Sequence, residues 1–243
     1  MKKTNLLFAA FAAGMILLGL NACEAGKEST RIMNKNFDVS PFHAIESEIV
    51  GNVVFKQSDR QSVSVRGSEN LVKNLIVEVD NGKLKLSAQK TAKKRNASHK
   101  LTVSVSAPGI EKIDLGGVGN LKLSGSVKSD SLSIALSGVG NFDAEDLEVQ
   151  SLFVESEGVG NIHLKGRANS VKIKSDNVGN IDASAFIARA VRVNLSGVGN
   201  VTCYASDILH ITASGVGNIT YLGNPAAKTI DRSGVGKVKN GQE

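Results

Sequence analysis

Few of the 243 residues carry side chains that do chemistry, and their spacing suits it poorly. The four histidines, His43, His99, His163 and His210, lie far apart, none beside another at metal-ligand spacing. Two cysteines, Cys23 and Cys203, exclude a four-cysteine zinc site and a disulfide-dense scaffold. The densest acidic stretch is Asp143-Ala144-Glu145-Asp146-Leu147-Glu148. A glycan-cleaving site needs convergent carboxylates on one face. Here the carboxylates crowd into one short segment. Lys165 and Arg167, then Ser184 and Arg189, follow at the matching places downstream, so the stretch reads as a charged surface bend. No GxxxxGK[ST] loop is present to cradle phosphate. Neither a cofactor nor a metal is expected.

The elements that would have to position any site are set by an unusual composition. Hydrophobic residues make up 41% of the chain and charged residues 21%, which excludes a disordered polymer. There are 25 glycines, too few for a collagen, yet aromatics are only 4% and tryptophan is absent. Such a core rests on Val, Ile and Leu rather than on rings.

Most of the glycine belongs to one repeat. Gly117-Val118-Gly119-Asn120 recurs at 138–141, 158–161, 197–200 and 215–218. Asn177-Val178-Gly179-Asn180 is a near copy, and Gly234-Val235-Gly236-Lys237 closes the series. The intervals run from 18 to 21 residues. Apolar pairs spaced by two flank each motif, Leu132/Ile134 or Val171/Ile173 before it and Leu121/Leu123 or Ile162/Leu164 after it. That is the strand period, and no stretch here has the period of a helix. Each repeat is therefore expected to be two short strands and two bends, with the motif as a corner. Gly permits φ > 0 there and Asn tolerates αL. The valine is expected to plug the corner of the core. Stacked in register, the coils make an all-β, single-stranded β-solenoid with coils of about 20 residues. Asn120, Asn141, Asn161, Asn180, Asn200 and Asn218 then form a ladder whose amides bond along the stack. Lys237 ends it and discourages a further chain from adding on. A calcium stack would need Asp in the ladder. Asp143 and Asp182 sit two residues beyond the Asn, but Lys122, His163, Thr202 and Thr220 hold the equivalent places. Cys203 takes a slot filled elsewhere by Leu123, Leu164 or Tyr221 and reads as an apolar filler.

The N-terminal third is less regular. Ile49-Val50-Gly51-Asn52-Val53 is a degenerate first motif, and Asp80-Asn81-Gly82 is a hairpin turn leading into Leu84/Leu86. Residues 37–113 are read as first coils with an inserted hairpin, capping one end of the regular coils at 114–240. The chain's one basic cluster, Lys90 to Lys100, includes Lys93, Lys94 and Arg95. It reads as a solvated hairpin tip or a patch for an anionic envelope component. Nucleic acid is not expected, since no aromatics interleave the charge.

The first 22 residues read as a signal segment. Lys2 and Lys3, two of the charges behind the net +6, precede an uncharged apolar run from Leu6 to Leu20 that is short for a membrane span. It ends in Leu20-Asn21-Ala22-Cys23, which resembles the bacterial lipobox, with Cys23 the lipidated residue. Residues 23–36 are polar and read as a tether. The expected address is the outer membrane, on its periplasmic or cell-surface face, through the N-terminal lipid.

The Phe42-to-Asn52 entry, the Asp80-Asn81-Gly82-Lys83-Leu84 hairpin and the Gly-Val-Gly-Asn repeat together resemble the head GIN domain family, described as putative auto-transporter adhesins. The resemblance spans about residues 37–240. It implies a right-handed β-helix-like fold and an adhesin-like lipoprotein, and it carries over no binding residue. The expectation is a non-enzymatic protein that binds a glycan or another envelope component, through the Asn ladder and the Lys93, Lys94, Arg95 loop. A polysaccharide-acting β-helix enzyme and a structural or assembly partner in the envelope are the alternatives.

Overall fold

The computed structural model describes residues 31–89 and 101–241. The expected signal segment, Cys23, Lys93, Lys94 and Arg95 lie outside the described residues. The chain is a β-solenoid of about six turns with coils of about 20 residues.

The regular part is five long strands: β9 (Leu121–Leu136), β10 (Phe142–Ser156), β11 (Ile162–Ser175), β12 (Ile181–Leu195) and β13 (Val201–Ala213). Each pairs in parallel with the next. The numbering follows the chain, and the eight shorter strands before β9 are given below. Inward positions in β10 are Phe142/Ala144, Leu147/Val149 and Leu152/Val154, parted by exposed pairs at Glu145-Asp146 and Gln150-Ser151. β9 to β12 thus each have three inward runs, not the two read from the sequence, and in β13 the middle place, Ala205, runs on directly from Cys203. The middle run is hard to see because it holds small residues in several coils, such as Ala168, Ala188 and Ala205. The flanking pairs identified by spacing are all in the core: Leu132, Ile134, Leu121, Leu123, Ile173 and Ile162 are each at most 2% exposed.

The motif corner corrects one expectation. The valines face outward. Val50, Val118, Val139, Val159, Val178, Val198, Val216 and Val235 are 48% to 71% exposed, each bridged in parallel to the next. With Val159 outward, plain alternation puts Asn161 outward and Ile162 inward, so no change of phase is needed after the Asn. The alternation passes unbroken through the corner, and the two glycines take the inward-parity places. A Cβ on Gly158 would stand 2.0 Å from the carbonyl oxygen of Gly138, and one on Gly160 would stand 1.8 Å from that of Gly140. The backbones of successive coils fill the space, and the side chain between them must point away. The ladder continues there, with Gly140 N–H donating to Val159 O (2.9 Å) and Phe142 N–H to Asn161 O (2.9 Å).

Toward the N-terminus the chain doubles back. The strands are β1 (Ile32–Phe37), β2 (Ala44–Ser47), β3 (Gly51–Gln57), β4 (Ser62–Ser68), β5 (Leu75–Asp80), β6 (Lys83–Ala88), β7 (Leu101–Ala107) and β8 (Lys112–Leu115). The degenerate motif at 49–53 is a true corner: Val50 bridges Val118, and Asn120 N–H donates to Asn52 Oδ1 at 3.0 Å. The turn at Asn81 (φ 50) and Gly82 (φ 72) joins β5 and β6 as expected. The insertion is larger than a hairpin, however. β4, α1 (Glu69–Asn74), β5, β6 and β7 all lie between β3 and β8, and they extend two faces outward. Val72 of α1 is fully buried at this end. No helix was expected in the sequence, since one six-residue turn is too short to show a period. The tether expected over 23–36 cannot include residues 32–36, because β1 begins at Ile32 and pairs antiparallel with β4; residues 23–30 lie outside the described residues.

At the other end, β14 (Ile219–Leu222), β15 (Ala227–Arg232) and β16 (Val238–Asn240) form the last coil. Lys228 stands in the register place of Leu209, and its Nζ donates to the Tyr221 hydroxyl at 2.8 Å. A charge at an inward place blunts the last edge against further stacking.

Candidate functional site

The feature most regular in space is the motif corner, and its amide row is held by hydrogen bonds. The backbone N–H of each Asn donates to Oδ1 of the Asn one coil earlier: Asn141 to Asn120, Asn161 to Asn141, Asn180 to Asn161, Asn200 to Asn180 and Asn218 to Asn200, at 2.9–3.0 Å. The side-chain Nδ2 of Asn141, Asn161, Asn200 and Asn218 donates to the same oxygens at 3.1–3.3 Å. Lys237 N–H takes Asn218 Oδ1 at 3.0 Å, and Lys237 offers no amide to continue the row. The acceptor oxygens are therefore engaged within the stack. What faces solvent is a row of Nδ2 groups beside a row of valine side chains. The valine row is the part that sequence reasoning missed. Rungs recur about every 4.8 Å.

Asn177 replaces the first glycine of one motif. It turns inward, 1% exposed, accepts from Ser175 Oγ at 2.7 Å and donates to Gly160 O at 3.1 Å. The polar side chain is tolerated because both ends are satisfied.

Removing one rung is expected to cost little. In Asn161→Ala, Asn180 N–H loses its acceptor, but water can replace it at this exposed place. The loss in unfolding free energy is expected to be about 1 kcal/mol, read as a shift in urea midpoint. Asn161→Asp keeps an acceptor oxygen and is expected to lose less at neutral pH. Equal losses would show that the acceptor does not matter.

The two glutamates of the acidic stretch are paired along the stack. Glu145 meets Lys122, while Glu148 meets Arg167 (2.7 Å) and Lys128 (3.1 Å). The hydrogen bond from Lys122, aided by the Gly125 N–H, holds the Glu145 carboxyl below its ordinary pKa. Arg167, then Lys128, does the same to Glu148. Arg189, expected near this cluster, pairs instead with Asp207 at 2.9 Å. A general acid would need its carboxyl raised, and these are shifted the other way. His43 lies 3.3 Å from Glu111 and His163 lies 3.5 Å from Asp182, both at the surface. Cys203 is buried as the sequence suggested, and burial pushes its thiol up to about 12, which leaves it unreactive. Among the described residues no helix is long and apolar enough to cross a membrane.

Comparison with known proteins agrees with this geometry. The family described as "Putative auto-transporter adhesin, head GIN domain" matches residues 41–225. A crystal structure of a putative adhesin from Bacteroides fragilis is similar at 34% identity and TM-score 0.85, covering 88% of this chain and 98% of that one. A putative lipid binding protein from Parabacteroides distasonis shares the fold at 21% identity and TM-score 0.65, covering 87% and 98%. A putative adhesin from the same species does so at 20% identity and TM-score 0.65, covering 87% and 98%. Comparison with curated proteins gave no match.

Proposed function

The chain belongs to the head GIN domain family, and on that premise we propose that it is a non-enzymatic adhesion protein of the cell envelope, held by an N-terminal lipid on Cys23. Its ligand is a glycan or another envelope component. The observation that carries this reading is the motif corner, where one short pattern displays an amide row and an apolar row over successive coils. A periodic surface of that kind suits a periodic ligand, because each further rung adds contacts without a new design of site. Asn120, Asn141, Asn161, Asn180, Asn200 and Asn218 are the candidate contacts, with Lys93, Lys94 and Arg95 as a separate basic patch. The lowered carboxyls of Glu145 and Glu148 are ill suited to act as a general acid.

Lipid attachment would place the solenoid at the outer membrane. Several acyl chains acting together give stable anchoring. The test uses intact cells with and without the protein, on a glycan array and under protease shaving. Protein-dependent binding together with loss of the protein on shaving supports surface adhesion. Full protection from protease on intact cells would put the protein in the periplasm and defeat that reading.

A further inference from the structure

Away from the motif corner, a trough of about 350 Å³ runs across successive coils beside the corner that follows Gln150. One wall carries hydroxyls, with Ser151 Oγ 3.1 Å from Ser170 Oγ. The other is a column of outward side chains in consecutive register: Phe153 beside Lys172, Lys172 beside Arg192, and Arg192 beside His210. Lys172 Nζ stands 5.2 Å from the centre of the Phe153 ring.

Two cations stand on adjacent rungs of this column; Lys56 and Lys165, which are likewise in no salt bridge among the described residues, face Ser106 and Ala185 instead. Elsewhere on the coils Lys122, Lys128, Arg167, Lys174 and Arg189 each meet a carboxylate on the same or a neighbouring coil. Among the described residues neither Lys172 nor Arg192 has a carboxylate in salt-bridge range, although they occupy adjacent rungs. Like charges directly opposite on paired strands cost stability. The stack could have placed Glu there, as it does one column over, where Glu155 faces Lys174. A like-charged pair beside a concave, largely apolar trough, with Ser131, Ser151 and Ser170 along part of one wall and Ala190 and Ile208 along the rest, is the arrangement an anionic chain with apolar faces would relieve.

We propose that this trough binds a linear acidic polysaccharide, a deepening of the adhesion reading on which it rests. The carboxylate or sulfate groups of the chain lie against Lys172 and Arg192, with His210 as a further donor. Its hydroxyls meet Ser151 and Ser170, and one sugar face packs on Phe153. The cations recur about every 4.8 Å along the stack, the scale of one sugar unit in an extended chain. A single line of cations beside a trough suits a chain laid along it, and the vesicle arm of the test below distinguishes a bilayer.

The test is equilibrium binding of the purified protein to polygalacturonate, to neutral dextran and to phosphatidylglycerol vesicles. Binding to polygalacturonate is expected to exceed binding to dextran and to weaken with added salt as the charges are screened. Lys172→Glu with Arg192→Glu is expected to weaken it about tenfold or more. Lys56→Glu with Lys165→Glu changes net charge equally on exposed residues elsewhere and is expected to leave it within about twofold. All four residues are exposed, and the circular dichroism spectrum of each double variant checks its fold. Equal weakening in both double variants, equal binding of dextran, or binding of vesicles without polygalacturonate would each overturn the proposal. If the trough variants still adhere as cells to a glycan array, the trough assignment fails while the adhesion reading stands.

Discussion

Gly160→Ala is expected to lower the unfolding free energy by about 3 kcal/mol or more, from backbone strain and overpacking together. The physical basis is double. Gly160 has φ +153, where an L side chain is rarely found, and its added Cβ would stand 1.8 Å from the Gly140 carbonyl oxygen. Backbone on one coil cannot give way without breaking the Gly140-to-Val159 hydrogen bond that holds the corner. The strain therefore passes to both neighbouring coils, since each is held by the one before it. Gly109→Ala is the control. No atom lies within 4 Å of its would-be Cβ and its φ is not in the strained range, so the change is expected to stay within about 0.5 kcal/mol. Urea unfolding of both variants decides the matter. A Gly160→Ala protein as stable as the parent would show that the corner can open without cost.

Phe186→Ala is expected to cost about 3–5 kcal/mol, at the upper end for a core truncation. Phe186 is 1% exposed and lies in register with Gly166 on the preceding coil, which in turn follows Leu147. Gly166 has no side chain, so the preceding coil offers none at this register place to close the gap that loss of the ring would leave. Ala183 and Ala188 on the same coil are small and buried, and neither can move in to fill the space. Phe186→Leu keeps most of the volume and is expected to cost less than about 1.5 kcal/mol. The urea midpoint should fall with little change in slope. Hydrogen exchange should speed most in β11 and β12, because stability in a stacked array is local. A loss near 1 kcal/mol would mean that the coils collapse onto the gap.

The Asn row was legible because identical residues at one period can only stack one way in a parallel array. The exposure of the valines was not legible. Composition marks Val as a core residue, and only the approach of Gly138 and Gly140 to the next coil shows that the inside of the corner is filled by backbone. The middle inward run was missed for the opposite reason. Ala168, Ala188 and Ala205 give too weak a hydrophobic signal to mark a strand, yet all are buried. The trough residues were invisible too. Phe153, Lys172, Arg192 and His210 are separated by unequal intervals, and the corners absorb the difference before the strands come back into register.

By itself the sequence determined the period, the solenoid, the inward pairs and the asparagine row, because each depends on a pattern local to one coil. Only the tertiary structure decided which way the valine points, how many runs face the core and which charges are left without a partner. Those depend on contacts between residues some twenty positions apart, where carbonyl oxygens, carboxylates and cations of neighbouring coils compete for the same few ångströms.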